Sequence, residues 1–311
     1  MAYRLGLFPL LNERPRTLAE VCESLGLESR PAQAMLSYCT AVGLLELHSD
    51  QYALTLLAEE YLLESSPISY TPAIELVITN PRLTSYPDWE KAVRTNTAQI
   101  YGGEETFESH DAQAELARTF TKGMHSLSMA PASAWPDALD LSPNRVMLDI
   151  GGGSGSHSIG AATRWPQLQA IVLDIGPVCE VAEEFIDAYG LGERIHTHAA
   201  DMWQEDFPVA DLHFYSNIYH DWPPEKGRFL TEKSYAALPP GGRIVIHETL
   251  YDDDKSGPVA AAGYSVNMLM WSEGQQYSGA ELTAMLTDAG FRDIEVQATF
   301  GYDSVVSGRK P

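Results

Sequence analysis

From Asn144 onward, short apolar runs alternate with helical stretches, and this alternation leaves few folds open to the chain. Strands are predicted at 145–150, 169–175, 194–199, 211–217 and 243–250, with helices after the first glycine loop to Trp165, at 178–189 and at 224–238. Runs apolar enough to be buried on both faces, each followed by a helix or crossover, pack as a parallel sheet wrapped by helices. A Met-rich helix follows at 259–271, then a helix opened by the capping box Ser278-Gly-Ala-Glu281. Two last strands, 294–299 and 304–308, turn near Gly301-Tyr302 as an antiparallel hairpin. The expected fold is therefore α/β: a Rossmann-like, doubly wound sheet of seven strands whose last strand is antiparallel.

Residues 1 to about 140 follow a different pattern. Thr17-Leu-Ala-Glu20 is a capping box opening a helix to Leu27, and Ser29-Arg-Pro31 starts a second helix that stops at Gly43. A short ribbon (44–47 and 52–54) comes next, and helix, helix, ribbon is a winged-helix pattern. Further helices are predicted at 71–79, 88–99, 109–122 and 126–139. Taken alone, the winged pattern would suggest DNA binding, yet residues 32–41 contain no Lys or Arg. The whole chain carries 20 basic against 43 acidic side chains, a net charge of −23 that repels phosphate backbones and anionic lipid. Neither nucleic acid nor a membrane is an expected partner. The three cysteines, Cys22, Cys39 and Cys179, are too scattered for a disulfide framework or a zinc site. The run from Leu5 to Leu11 is broken by Pro9 and lacks a small-residue cleavage site, so no signal peptide is read and a reducing, cytoplasmic setting is expected.

The loop Asp149-Ile-Gly151-Gly152-Gly153-Ser154-Gly155 ends the first strand of the sheet, where doubly wound folds accept nucleotide-like ligands. Its spacing is wrong for a dinucleotide, because the sixth position counted from Gly151 is Ser156 and from Gly153 is Ser158. No Gly-Lys-Ser/Thr follows, so it is not a phosphate loop either. Two readings remain: a cofactor held through its adenosine and amino-acid parts, or merely a close strand-to-helix turn. Asp174 ends the second strand and can accept both hydroxyls of a ribose or cap the next segment. Asp201-Met202 follows the third strand and can hold an adenine edge and face, or simply form a loop.

The stretches Leu148-Asp-Ile-Gly-Gly-Gly-Ser-Gly155, Val172-Leu-Asp-Ile175, Ala200-Asp-Met202, His220-Asp-Trp222, Leu238-Pro-Pro-Gly-Gly-Arg243 and Leu286-Thr-Asp-Ala-Gly-Phe291 resemble the class I S-adenosylmethionine-dependent methyltransferases. The likeness is closer to the two-domain small-molecule O-methyltransferases of secondary metabolism, of the caffeate, flavonoid, hydroxyindole and polyketide type, and it extends through Leu5-Gly-Leu-Phe8, 17–27 and the ribbon. The resemblance implies S-adenosyl-L-methionine as cofactor, with Asp149, Gly151, Gly153, Gly155, Asp174, Asp201, Met202, Ser216 and Trp222 around it. It also implies a dimerising and substrate-covering winged-helix-like domain at 1–140, a cofactor domain at 141–311, and a homodimer. The helical arm that usually precedes Leu5 in this family is expected to be shortened here. Ser216 stands where plant members carry a lysine.

By the same resemblance, His220 is the general base, flanked by Glu248 and by Gln276, which occupies a position usually held by glutamate. Histidine suits a phenol acceptor, because a hydroxyl with pKa near 10 must lose its proton as the methyl arrives. An amide at 276 can orient the imidazole but cannot stabilise its charged form, a loss that a more acidic acceptor hydroxyl would tolerate. Asp221 either caps the helix starting at Pro223 or lies near the cofactor. Trp222 sits beside the adenine or in the core. The acceptor side is expected to be lined by Phe120, Met124, Met129, Tyr219, Asn267, Met268 and Trp271; Tyr264, Met268 and Trp271 share one helix face, which is equally a plain core stripe. His125 and His247 show no ligand spacing with His220, so no metal is expected. Methylation of carbon, nitrogen or sulfur on the same scaffold, and a ligand-binding regulator without catalysis, are the competing readings.

Overall fold

The computed structural model describes residues 1–66, 68–100 and 114–311, and these form two compact units, Met1–Glu75 and Leu76–Pro311. In the first unit, α1 (Leu7–Glu13) and β1 (Arg16–Thr17) precede α2 (Leu18–Leu25), whose capping box forms as the sequence predicts: Glu20 N–H donates to Thr17 Oγ1, and Thr17 N–H donates to Glu20 Oε2. α3 (Ser29–Ala41) follows, then the ribbon of β2 (Leu45–His48) and β3 (Gln51–Leu54), closed by Ser49 and Asp50, both at positive φ. That pair of left-handed residues gives the two-residue turn whose twist matches the strands. α4 (Leu56–Leu62), which the sequence reading left unassigned, completes a core of Leu7, Phe8, Val21, Leu36, Leu45 and Tyr52.

α5 (Thr71–Ile78) spans the division at Glu75. The second unit opens with α6 (Tyr86–Thr95) and α7 (Ala114–Ala134). α7 joins into one helix what the sequence divides at 122–126; residues 109–113 of the first predicted segment lie outside the described residues. A glycine inside a helix costs about 1 kcal/mol, and here tertiary burial of Gly123, His125 and Ser126 overrides it. The division at Glu75, rather than near 140, leaves α7 in the same unit as the sheet, packed on the helices that follow β4 and β5.

The sheet comprises β4 (Val146–Ile150), β5 (Gln169–Asp174), β6 (Ile195–Ala199), β7 (Leu212–Ser216), β8 (Arg243–Thr249), β9 (Arg292–Ala298) and β10 (Asp303–Arg309). Their order is β6-β5-β4-β7-β8-β10-β9, parallel except for β10, which runs antiparallel to both of its neighbours. α8 (Ser156–Arg164), α9 (Gly176–Ala188), α10 (Pro224–Ala237), α11 (Val259–Trp271) and α12 (Gly279–Ala289) supply the helical layers. Alternation along the strands fills two cores. Met147, Phe214 and Val245 face one with Trp135, Ile159 and Ile186, while Leu148, Tyr215 and Ile246 face the other with Leu230, Leu282 and Phe291. The chain leaves β4 toward β5 on one side and is rejoined by β7 on the other, so the strand order reverses at β4 and a crevice opens at the carboxyl ends of these strands.

Candidate active site

The glycine loop sits at that crevice. Gly153 has φ +56°, its N–H donates to Asp174 Oδ2 at 2.9 Å, and no atom lies within 4 Å of where a Cβ would stand, so its outer side is open. Asp174 Oδ1 accepts from Ile175 N–H at 2.8 Å. The carboxylate therefore joins loop to strand end, and burial, outweighing both main-chain bonds, pushes its pKa up to about 6. Gly151 donates its N–H to Leu173 O at 2.8 Å, and Gly155 opens α8. Asp149 lies beneath the loop, almost fully buried, and accepts from Ser158 Oγ at 2.7 Å. Burial raises it to about 7, with Asp174 adding and Ser158 opposing.

Asp201 Oδ1 accepts from Trp203 N–H at 2.8 Å, a local turn that fixes the Asp201-Met202 corner. Met202 is half-buried beside the second core. Ser216 Oγ shares a 2.9 Å hydrogen bond with His247 Nδ1. Trp222 is buried, edge-on to Trp203 and covered by Lys226 Nζ at 4.1 Å from its ring centre. An open-sided glycine loop, carboxyl groups at the ends of β4 and β5 and the Asp201 corner after β6 are the groups at this crevice that could hold a nucleoside-bearing cofactor such as S-adenosylmethionine.

The strand β7 continues into a tight turn at Tyr219–Asp221 that carries His220. His220 is 3% exposed, and its Nδ1 lies 2.7 Å from Glu248 Oε2 at the end of β8; its backbone N–H also donates to Glu248 Oε1 at 3.3 Å. Gln276 Nε2 lies 3.2 Å from the same Nδ1, while Gln276 Oε1 is buried with no partner among the described residues. A ring nitrogen donating its proton to Glu248 has no lone pair for an amide N–H, so in that tautomer the approach of Gln276 to Nδ1 is a close polar contact and not a hydrogen bond. Asp221 Oδ1 lies 3.7 Å from Nε2. It does not cap α10, whose first turn has no side-chain cap. Burial disfavours the charged imidazole, but Glu248, Asp221 and Asp303 outweigh it and raise His220 to about 9. Asp221 itself is raised to about 7, by burial first, with His220 opposing.

Gly274 explains how the 274–278 segment reaches the base. A Cβ there would overlap the His220 carbonyl oxygen and lie 2.5 Å from the Trp222 nitrogen, so only glycine lets the two backbones meet. Tyr264 presents its ring edge-on to His220, centroids 4.8 Å apart. Phe120 and Trp271 meet at 6.1 Å, joining α7 to α11. Met124 and Asn267 are half-buried, and Met268 is buried with Ser272 Oγ on its sulfur.

Two expected acceptor residues belong elsewhere. Tyr219 is fully buried in the second core, its hydroxyl bonded to Thr231 Oγ1 at 2.8 Å. Met129, on α7, is half-buried against the first core. Sequence reasoning also missed Asp303, which accepts from Thr249 Oγ1 at 2.5 Å. The β10-to-β8 register places it opposite Thr249, beside Glu248, and only the strand order could have revealed that. Among the described residues no cluster of three or more His, Cys, Asp or Glu side chains is placed to hold a metal, and no helix is long and apolar enough to cross a membrane.

This fold and crevice are those of a methyltransferase with a doubly wound cofactor domain. The O-methyltransferase domain profile matches residues 86–292, and the chain belongs to that family. It is 36% identical to the 3-hydroxy-5-methyl-1-naphthoate 3-O-methyltransferase of Streptomyces sahachiroi, over 99% of this chain and 90% of that one. It is 33% identical to the acetylserotonin O-methyltransferase of Bos taurus, over 98% and 92% respectively. The crystal structure of human N-acetylserotonin methyltransferase in complex with S-adenosylmethionine superposes with a TM-score of 0.88 at 27% identity, covering 99% of this chain and 92% of that one. The protein is an S-adenosylmethionine-dependent O-methyltransferase.

Proposed function

We propose that this enzyme methylates a hydroxyl group of a small aromatic acceptor, with His220 as the general base. The observation that carries the reading is the 2.7 Å bond between His220 Nδ1 and Glu248. In the neutral ring it favours the tautomer that carries the lone pair on Nε2, the nitrogen that would take the acceptor's proton. S-adenosylmethionine, when bound, supplies a methyl group made electrophilic by a cationic sulfur. The hydroxyl oxygen would bond the methyl as the carbon–sulfur bond breaks with its electron pair going to sulfur, leaving the neutral thioether S-adenosylhomocysteine; His220 Nε2 would take the hydroxyl proton, and Glu248 would balance the new imidazolium. Asp174, Asp149 and the glycine loop hold the donor, and the Asp201-Met202 corner, Ser216 and Trp222 complete its surroundings.

The aromatic edges of Tyr264, Phe120 and Trp271 suit a flat acceptor, and the named substrates of the two relatives above are aromatic. In the same reading the amino-terminal unit serves assembly of a homodimer, which sedimentation of the purified protein would test. The deciding experiment is a panel of hydroxynaphthoates, hydroxyindoles and other hydroxylated aromatics, following S-adenosylhomocysteine release and locating a labelled methyl in the product. Label on oxygen supports the proposal; label on carbon, nitrogen or sulfur, or no turnover with any member, overturns it.

A further inference from the structure

α7 carries His125 against the glycine loop. The side chain is 6% exposed, and its Nδ1 shares a 2.8 Å hydrogen bond with Oγ of Ser154, the residue between Gly153 and Gly155. Its ring lies flat on Phe185 of α9, with centroids 3.6 Å apart and planes within 10°. Two turns earlier on α7, Arg118 pairs with Glu184, the neighbour of Phe185. The stack fixes the plane of the imidazole, so Nδ1 is aimed in one direction. Burial pushes the ring's pKa down to about 4, which keeps it neutral under ordinary assay conditions. Ser154 is 3% exposed, and the bond to His125 is what satisfies its buried hydroxyl. Leaving such a group unsatisfied is costly.

We propose that His125 is a positioning residue for the cofactor: its bond to Ser154 holds the glycine loop in the form that receives S-adenosylmethionine. A side chain that merely filled space would need the ring's volume; this one also uses a nitrogen. The same helix carries Phe120, which meets Trp271, so the bond ties the donor loop to the aromatic side of the site. The inference rests on the crevice being the cofactor's, as above.

The test is calorimetric titration of S-adenosylhomocysteine into the wild type, His125→Ala, His125→Asn, Ser154→Ala and the double alanine variant. His125→Ala and Ser154→Ala should each weaken affinity about tenfold, and the double variant should be no weaker than either, since both remove one bond. His125→Asn, whose amide stands near the position of Nδ1, should recover affinity to within about threefold. In steady state, KM for S-adenosylmethionine should rise about tenfold in His125→Ala, with kcat at saturation within about threefold. Unchanged affinity in both single variants, losses that multiply in the double variant, or no recovery with asparagine would each overturn the proposal. If His125→Ala fails to fold, Ser154→Ala and His125→Asn decide the matter. A wild type that binds no S-adenosylhomocysteine would overturn the cofactor crevice itself, and this inference with it.

Discussion

Glu248→Gln removes the charge beside His220 while keeping a side chain of similar size, and the pH dependence of the reaction should report the change. In the free enzyme burial favours neutral imidazole, yet Glu248 at 2.7 Å, helped by Asp221 and Asp303, raises His220 to about 9. Only the neutral ring can take a proton, so kcat/KM for a neutral phenol should climb with pH until about 9; at pH 6 only about one ring in a thousand is neutral. With Glu248 neutralised, burial is opposed only by Asp221 and Asp303. The acid limb should fall by two or more pH units, a loss of about 3 kcal/mol in the preference for imidazolium. The weakened base should then lower the alkaline plateau roughly 10- to 100-fold. Because the wild type is mostly protonated at pH 6, the variant should approach or exceed it there while trailing far behind at pH 9.5. The assay is release of S-adenosylhomocysteine between pH 5.5 and 10, using an acceptor with an unperturbed phenol. A constant ratio of wild type to variant at every pH would refute the reasoning.

His220→Ala should bind S-adenosylhomocysteine normally by calorimetry and lose roughly 10²–10⁴ in kcat; near-normal turnover would remove it as the base. Asp174→Ala should weaken cofactor binding by more than about 1.5 kcal/mol through lost charge-assisted hydrogen bonds and a freed Gly153 N–H, measured by the same titration. Gln276→Glu should retain most of the turnover on the true substrate, while its added charge moves the acid limb to higher pH; collapse of the rate would contradict the role given to the amide. Gly274→Ala should lower kcat at least tenfold and depress the melting temperature, because its methyl must displace the turn that holds His220.

Much of the framework was legible because it is written in local chemistry. The boxes at Thr17 and Ser278 are satisfied within one helical turn, and both form with Glu20 and Glu281 in place. Strand and loop positions followed from hydrophobic period and from glycines that had to turn. The same locality explains the misses. Tyr219 and Met129 lie on elements that the sequence placed correctly, but which side of a tight turn or helix meets the core depends on partners far away in the chain. His125 with Ser154 and Asp303 with Thr249 are separated by 29 and 54 residues, so no spacing rule joins them; His220 and Gln276, 56 residues apart, were joined only through the family resemblance. The unit boundary at Glu75 was hidden for a related reason. The change of period at Asn144 marks where strands begin, whereas α7 belongs by packing to the sheet that follows it.

The position of β10 between β8 and β9 has a consequence for biosynthesis. As the nascent chain emerges, β9 is made before β10, yet β10 is the strand it pairs with, so residues 292–298 must wait without their ladder. An unpaired strand edge of that kind invites contact with other chains until it is covered. The strand that arrives later also sets Ser304 opposite Glu248. The carboxylate that governs the base therefore gains its final backbone support only after every other strand of the sheet has been synthesised.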